Sequence, residues 1–113
     1  MRVDELALAL RRRDALRART LYADLIESDP SMIEMPSLTD PIDLAIAASV
    51  VELIASRMRA AAPAWTSQIP ALPEPHVLVT VRLPEKLARL RQESPPELRA
   101  RNLFAPESFL LSA

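Results

Sequence analysis

One histidine and a neighbouring glutamate are the residues of this chain that come closest to acid–base chemistry. Glu74 precedes His76 by two residues, and a carboxylate near an imidazole can orient it as a general base. Catalysis also needs a reacting group, and neither Thr80 nor Ser94 is better placed by its spacing than any other hydroxyl. We therefore interpret His76 as a structural residue at the start of a strand, and we expect no catalytic residue.

Two aspartates, Asp40 and Asp43, are the candidates for a cation site. Hard cations need several oxygen ligands, and this pair supplies few of them. Asp40 before Pro41 also has the position of a helix N-cap, and Asp43 then falls in the first turn, at the positive end of the helix dipole. Capping explains both carboxylates, so we expect no metal and no cofactor.

The composition excludes several classes of enzyme. The 113 residues include 11 prolines but no glycine and no cysteine. Phosphate-binding loops and dinucleotide folds need glycine, because it adopts positive φ cheaply and lets the backbone approach a ligand. The absence of cysteine excludes thiol chemistry and thiolate-bound metals. With 50% hydrophobic and 26% charged residues, the chain is typical of one globular domain that binds rather than catalyses.

Nothing in the sequence predicts a membrane protein. No apolar stretch approaches the ~18–20 residues that span a bilayer. Asp4 and Glu5 interrupt the basic-then-apolar order of a signal peptide, and the chain is free of cysteine. We therefore expect a cytoplasmic protein with no membrane partner.

Arginines are concentrated near the N-terminus, where Arg11, Arg12, Arg13 and Arg17 are followed by Arg19. Arginine forks suit phosphates, so these side chains are the candidates for nucleic-acid contact. A net charge of −1 and interspersed acidic residues argue against such binding. The sequence also has no evident recognition helix after a short turn. A DNA-binding regulator of its own operon is therefore the alternative function.

Proline divides the chain into short helical pieces. Residues 3–27 predict either one bent helix or two, with the joint near residues 11–14. Residues 41–62 predict the central core helix, which ends before Pro63. One apolar face is expected on this helix, with four residues at its centre: Ile46, Val50, Leu53 and Ile54.

The second half predicts shorter elements. Residues 63–75 contain four prolines and predict an extended connection. Residues 77–81 predict a β-strand from their β-branched content, and residues 85–93 a short helix. Ser-Pro-Pro-Glu at 94–97 has the pattern of a capping box that opens another turn. Residues 102–105 are expected to be extended, before a final turn that carries Phe109.

A lone strand cannot satisfy its backbone, so the strand at 77–81 needs a partner. Residues 102–105, a second copy of the chain and the sheet edge of another protein are the three alternatives. The expected fold is mainly α: a small helical domain with a proline-rich connection, one short strand or hairpin and a C-terminal arm. We expect a helical body at 1–62 and a partner-binding segment at 63–113 packed on it, forming a single domain.

Three of the four aromatic residues lie outside the long helices: Trp65, Phe104 and Phe109. Arg99 and Arg101 stand close to Phe104, and tryptophan and arginine are frequent interface anchors. These five are the candidate partner-binding residues. The pattern leaves core and partner surface equally open for Phe104 and Phe109, and it favours the core for Trp65.

The C-terminal half also resembles a family of short bacterial proteins encoded beside nucleotidyltransferase-like genes of the kind that act as toxins. The matching stretches are PAWT at 63–66, EP at 74–75, ESPPELRARNLFA at 93–105 and FL at 109–110. His76 and Val77 stand where the family usually has aromatic residues. The resemblance implies an antitoxin-like companion that binds an adjacent enzyme.

Together these observations predict a binding protein rather than an enzyme. It would neutralise or position a nucleotidyltransferase-like partner by covering its active site, with Phe104 and Phe109 as anchors. Arg99 or Arg101 would pair with the acidic residues that hold the partner's metal ions. The unpaired strand and the arm aromatics also predict that the protein is not a simple monomer, and a homo-oligomer is one alternative.

Overall fold

Helices dominate the fold. The computed structural model describes residues 3–79 and 83–106. The predicted fold class is confirmed, since these residues form a small, mainly helical domain with one two-stranded sheet. The elements are α1 (Val3–Arg11), α2 (Ala15–Leu25), a 3₁₀ helix (Pro30–Met32), α3 (Pro41–Arg57), a second 3₁₀ helix (Ala64–Gln68), β1 (His76–Val77), α4 (Pro84–Glu93), α5 (Pro96–Arg99) and β2 (Leu103–Phe104).

The arginine-rich stretch near the N-terminus separates two helices, which is one of the two alternatives the sequence left open. α1 ends in a Schellman motif, in which the N–H of Asp14 donates to the carbonyl of Ala9 at 2.9 Å. Arg13 has the left-handed φ of 59° that this motif requires. Glycine usually takes such a position, and without one an arginine adopts a conformation that costs about 1–2 kcal/mol. Asp14 then caps α2, because its carboxylate accepts from the N–H of Arg17 at 3.2 Å.

α3 lies at the centre of the core. Its N-cap is Asp40, whose carboxylate accepts from the N–H of Ile42 at 2.8 Å, and Pro41 occupies the first helical position. Every residue of 45–55 except Glu52 is buried, because α1, α5 and both 3₁₀ helices pack around this stretch. Burial on all sides replaces the single apolar face that was predicted. The four predicted central residues are at most 3% exposed: Ile46, Val50, Leu53 and Ile54.

The C-terminal end of α3 comes earlier than predicted. The helix ends at Arg57 rather than near residue 62, and Met58 is the C-cap. A second Schellman motif stops it, since the N–H of Ala60 donates to the carbonyl of Ala55 at 2.8 Å and Arg59 has a φ of 54°. The prediction placed the end of the helix before Pro63, whereas the backbone hydrogen bonds of the Schellman motif end it five residues earlier, at Arg57. Met58, which lies within the predicted helix 41–62, is 41% exposed.

The proline-rich connection is only partly extended, which corrects a second boundary. The 3₁₀ helix Ala64–Gln68 lies inside the stretch 63–75 that was predicted to be extended. No proline occurs between Pro63 and Pro70, so the backbone N–H groups there can form a short 3₁₀ turn. The hydroxyl of the buried Thr66 donates to the carbonyl of Pro63 at 3.0 Å and fixes this turn.

β1 finds its partner within the chain. It pairs in parallel with β2, with His76 opposite Leu103 and Val77 opposite Phe104. Of the three partners considered for this strand, the chain's own residues 102–105 supply the pairing. The described part of the strand is therefore paired within one chain. Its backbone hydrogen-bonding groups no longer support the prediction that the protein associates with a second chain.

The Ser-Pro-Pro-Glu pattern does not form a capping box. α5 begins at Pro96 with Pro95 as its N-cap, so Ser94 lies one residue too early to cap it. Its hydroxyl instead donates to the carbonyl of Leu90 at 2.6 Å, within α4, and accepts from the N–H of Ala105 at 3.0 Å. Ser94 thus joins the end of α4 to the segment that follows β2.

Some predicted features fall outside the described residues. These are Thr80 and Val81 of the predicted strand, and the final turn with Phe109. Within the described residues β1 ends at Val77 and leaves out Leu78 and Val79, so it is shorter than the predicted strand 77–81. Across 3–79 and 83–106, no helix combines the length and the apolar character that crossing a bilayer requires.

Candidate functional site

His76 lies half-buried at the start of β1, near two cations and two anions. Burial lowers its pKa, and the positive charges of Arg11 and Arg13 lower it further against the opposing effect of Asp40 and Asp43. The imidazole is therefore neutral over a wider pH range than a free histidine. A lowered pKa alone does not make a general base, because a reacting group must also lie within reach.

The hydroxyls considered as partners of His76 do not supply that group. Ser94 is 2% exposed, and its hydroxyl both donates and accepts within the chain. Thr80 lies outside the described residues, and Glu74 is exposed. Among residues 3–79 and 83–106, no three histidine, cysteine or acidic side chains form a group that could hold a metal ion.

Arg11 at the end of α1 forms ion pairs with two aspartates at the start of α3. Its Nη1 donates to Oδ1 of Asp43 at 2.9 Å and to Oδ1 of Asp40 at 3.3 Å. The N–H of Ile42 lowers the pKa of Asp40, and the N–H of Asp43 and the Arg11 charge add to this effect against desolvation. Arg11 thus joins the end of α1 to the beginning of α3, and its charge is already neutralised. This leaves it a poor phosphate ligand among the four predicted for nucleic acid.

An open cleft of about 420 Å³ lies beside this ion pair, between the start of α3 and residues 72–76. Its polar side chains are Asp40, Glu74 and His76, and Asp40 is already bound to Arg11 and to the helix N-terminus. Prolines and aliphatic side chains form the rest of the lining. These groups do not distinguish one ligand class from another.

Arg101 organises the interior of the second half. Its side chain is 7% exposed, and the guanidinium binds the Glu52 carboxylate with two parallel hydrogen bonds, one of them 3.0 Å long. Nε donates to the carbonyl of Ile69 at 3.1 Å, and Nη2 also donates to the carbonyl of Thr66. Burial raises the pKa of Glu52, but the hydrogen bonds and charge of Arg101 more than offset this, so the net direction is downward.

The other predicted partner-binding residues are divided between interior and surface. Phe104 is 9% exposed, and the Arg91 guanidinium lies 5.7 Å from its ring centroid. Trp65 is half-buried against the core, and its indole N–H donates to the carbonyl of Ile33 at 2.8 Å. Arg99 is exposed, whereas Phe109 lies outside the described residues. The structure therefore does not bring the four described residues of this set together on one surface.

The arginines that follow Arg11 have a different environment. Arg12, Arg13, Arg17 and Arg19 are all exposed at the junction of α1 and α2. Arg17 lies 3.7 Å from Glu5, and one Arg13 nitrogen lies 3.4 Å from the carbonyl of Val77. Neither contact buries a charge. We name this surface the arginine corner and define it as Arg12, Arg13, Leu16, Arg17 and Arg19.

Leu16 belongs to the arginine corner and was missed by the sequence reasoning. It is 75% exposed, more than any other large hydrophobic residue in the described chain. Ala18, Tyr22 and Leu25 form the buried face of α2, and Leu16 is out of phase with them. The signal was available in the sequence as an apolar residue off the helical stripe, flanked by arginines on both sides.

A second helix does follow a short turn at the arginine corner, although nothing in the structure tests whether it recognises DNA. Residues 12–14 connect α1 directly to α2, and the two helices pack on each other. Arg17 lies in the first turn of this second helix, and Arg19 follows in the next. Two helices joined by a three-residue turn are the basic unit of helix-turn-helix motifs.

The chain matches no protein-family model, no curated protein and no solved structure. The corner must therefore be interpreted from its own geometry and charge, as an exposed cationic surface with one apolar residue.

Proposed function

We propose that this chain is an antitoxin-type or accessory binding protein that neutralises or positions a nucleotidyltransferase-like partner by covering its active site. The resemblance of residues 93–105 to short companions of such enzymes supports the choice of partner. The observation that carries the proposal is the arginine corner, which is strongly cationic in a chain of net charge −1. Its side chains are exposed and extend from the junction of α1 and α2.

Charge complementarity supports this corner as the docking surface. Enzymes that transfer nucleotidyl groups hold metal ions with acidic side chains, and arginine forks bind carboxylates with good geometry. Arg12 and Arg19 have no ion pair with any other described residue, so both can bind a partner without first breaking one. Leu16, which is 75% exposed, adds apolar surface that a partner can bury between them.

The mechanism differs from the arm expected from the sequence. Arg101 is bound to Glu52, and Phe104 is buried, so neither can reach a partner without opening the fold. In the proposal residues 94–106 support the domain from within, and the α1–α2 junction covers the partner's active site. Arg99 stays available as a further surface cation.

Co-expression with the product of the adjacent gene tests the proposal. We expect a stable complex in which the partner loses nucleotidyl-transfer activity or is redirected. Arg12→Glu/Arg19→Glu should weaken binding by about tenfold or more, because each arginine is replaced by a repelling charge. The matched control is Lys86→Glu/Arg89→Glu on the exposed side of α4, which should bind like the wild type. Absence of any complex, or equal binding by both double variants, would contradict the proposal.

Duplex DNA is the second candidate ligand for the same corner, because its short turn and second helix have the connectivity of a helix-turn-helix. A gel shift with operator DNA from the chain's own promoter tests it. Specific binding whose affinity falls steeply with salt, and which Arg17→Ala weakens, would favour the regulator. No shift at low salt would exclude it.

A further inference from the structure

The three methionines of the described chain all lie at the surface, which is unusual for this residue. Met32 is 74% exposed, Met35 51% and Met58 41%. Methionine normally fills gaps in a hydrophobic core, because its unbranched side chain adapts to irregular spaces. The buried hydrophobic residues of 3–79 and 83–106 include no methionine. These side chains therefore contribute little to the core, and any role of their thioether groups lies at the surface.

Met32 and Met35 belong to a short segment that is held in place by other residues. Pro30 and Ile33 are buried, and the N–H of Ile33 donates to the carbonyl of Pro30 at 3.2 Å. The carbonyl of Ile33 accepts from the indole N–H of Trp65 at 2.8 Å. None of these contacts involves a methionine side chain. The two thioethers can therefore change chemically while the backbone of the segment keeps its anchors.

The sulfur chemistry of this chain is confined to thioethers, because the sequence contains no cysteine. Hydrogen peroxide oxidises a thioether in a two-electron step. A lone pair of the sulfur attacks one peroxide oxygen, so that the S–O bond forms as the O–O bond breaks. The departing hydroxide takes the proton left on the transferred oxygen, which gives a sulfoxide and water. A thioether has no proton of its own to lose, so access to peroxide, rather than a local pKa, decides which methionine reacts first.

We propose that Met32 and Met35 form a reversible peroxide-oxidation site, at which sulfoxide formation turns an apolar surface polar without unfolding the domain. Met32 reacts first, because it is the more exposed of the two. Both sulfoxides remain at the surface, where methionine sulfoxide reductases, one for each sulfoxide epimer, can reach them and restore the thioethers. The inference is independent of the proposed partner, because it concerns the purified chain and its oxidant alone.

Met58 provides an internal comparison in the same molecule. It is the C-cap of α3 and the least exposed of the three described methionines. Its thioether has the same intrinsic chemistry as those of Met32 and Met35, so a difference in rate reports access. We therefore expect Met58 to be oxidised more slowly than Met32 in the folded protein, and at a similar rate in the unfolded chain.

Mass-spectrometric peptide mapping after timed exposure to dilute hydrogen peroxide measures the oxidation rate at each methionine. In the folded protein Met32 should react within about twofold of its rate in concentrated urea, where all three sites are accessible. Met58 should show the larger slowing on folding. A rate at Met32 that folding slows by about tenfold or more would overturn the inference. Oxidation of Met58 before Met32 would also overturn it.

The oxidised protein tests the effects on the surface and on the fold. Its retention on a hydrophobic-interaction column should fall, and both reductases together should restore it. Its melting temperature should change by less than about 3 °C, since the anchoring contacts are kept.

The matched control is Met32→Leu/Met35→Leu, which keeps the apolar surface and removes the two sulfur atoms. After the same treatment its retention should fall much less than that of the wild type. An equal fall in the control would place the effect at another residue and overturn the inference. Loss of the cooperative melting transition on oxidation, or failure of the reductases to restore retention, would overturn it as well.

Discussion

Arg101 and the arginine corner contain the same guanidinium group in opposite surroundings. The side chain of Arg101 is 7% exposed, and its nitrogens are bound to Glu52, Ile69 and Thr66. Arg12 and Arg19 are exposed and have no ion pair within the described chain. The buried arginine connects α3, the second 3₁₀ helix and the segment after α5, whereas the exposed ones extend into solvent.

The difference shows that local sequence does not decide whether an arginine builds the fold or a surface. Both regions follow a short helix and lie beside apolar residues. The parallel pairing of β1 with β2 draws the segment around Arg101 inward, next to Glu52 on α3. The turn at residues 12–14 directs the arginine corner outward, so its side chains, unlike that of Arg101, are available for binding.

The largest expected effect is the loss of Arg101. Arg101→Ala leaves Glu52 partly buried without its cation, and breaking such a pair costs about 3–5 kcal/mol. Urea unfolding of the purified variant measures this loss. Arg99→Ala is the matched control, because Arg99 is exposed two residues away and should change stability by less than about 0.5 kcal/mol. If both substitutions lower the free energy of unfolding equally, Arg101 is no more important to the fold than an exposed arginine.

Truncation of Phe104 sharpens the same comparison. Phe104→Ala should lower the free energy of unfolding by about 3–5 kcal/mol, since its ring is buried against Arg91. The unfolding free energy from urea titration and the affinity for the partner are measured on the same preparation. If the variant keeps its stability and loses only partner binding, Phe104 belongs to a binding surface and not to the interior of the fold.

Acid should weaken the Arg101 region selectively. The pKa of Glu52 is below its ordinary value of 4.5 in the folded protein, so its stabilising effect is complete above 4.5 and is lost as pH falls through the lowered pKa. The difference in unfolding free energy between wild type and Glu52→Gln should therefore shrink as pH is lowered through this range. His76, whose pKa is lowered from 6.5, adds a separate loss that begins at higher pH. A constant difference at all pH values would show that the Glu52 carboxylate is not specifically stabilised.

A smaller effect is expected at the turn of the arginine corner. Arg13 has a left-handed φ of 59°, so Arg13→Gly should raise the free energy of unfolding by about 1 kcal/mol. The control is Arg12→Gly, which has no left-handed strain to relieve and should be neutral or destabilising. Thermal melts of the two variants compare them. Stabilisation by both would mean that the gain does not come from the backbone conformation.

Parts of this architecture are predictable from the sequence because their causes are local. Asp40 followed by Pro41 fixes the start of α3, and the apolar run after them fixes its burial. The helix ends at Arg13 and Arg59 are not predictable in the same way. Glycine usually marks such a left-handed position in a sequence, but here arginine occupies it, and arginine is not typical of helix ends of this kind. The interior role of Arg101 depends on Glu52, 49 residues away, and no local pattern indicates that pairing.

The central claim of the proposed function is that a partner would bind the arginine corner and not residues 94–106. Hydrogen–deuterium exchange of the free chain and of its complex with the adjacent gene's product tests this most directly. The account predicts that amide exchange slows across residues 12–19 on binding, while exchange across residues 94–106 stays as slow as in the free chain. New protection confined to residues 94–106, with residues 12–19 unchanged, would contradict it.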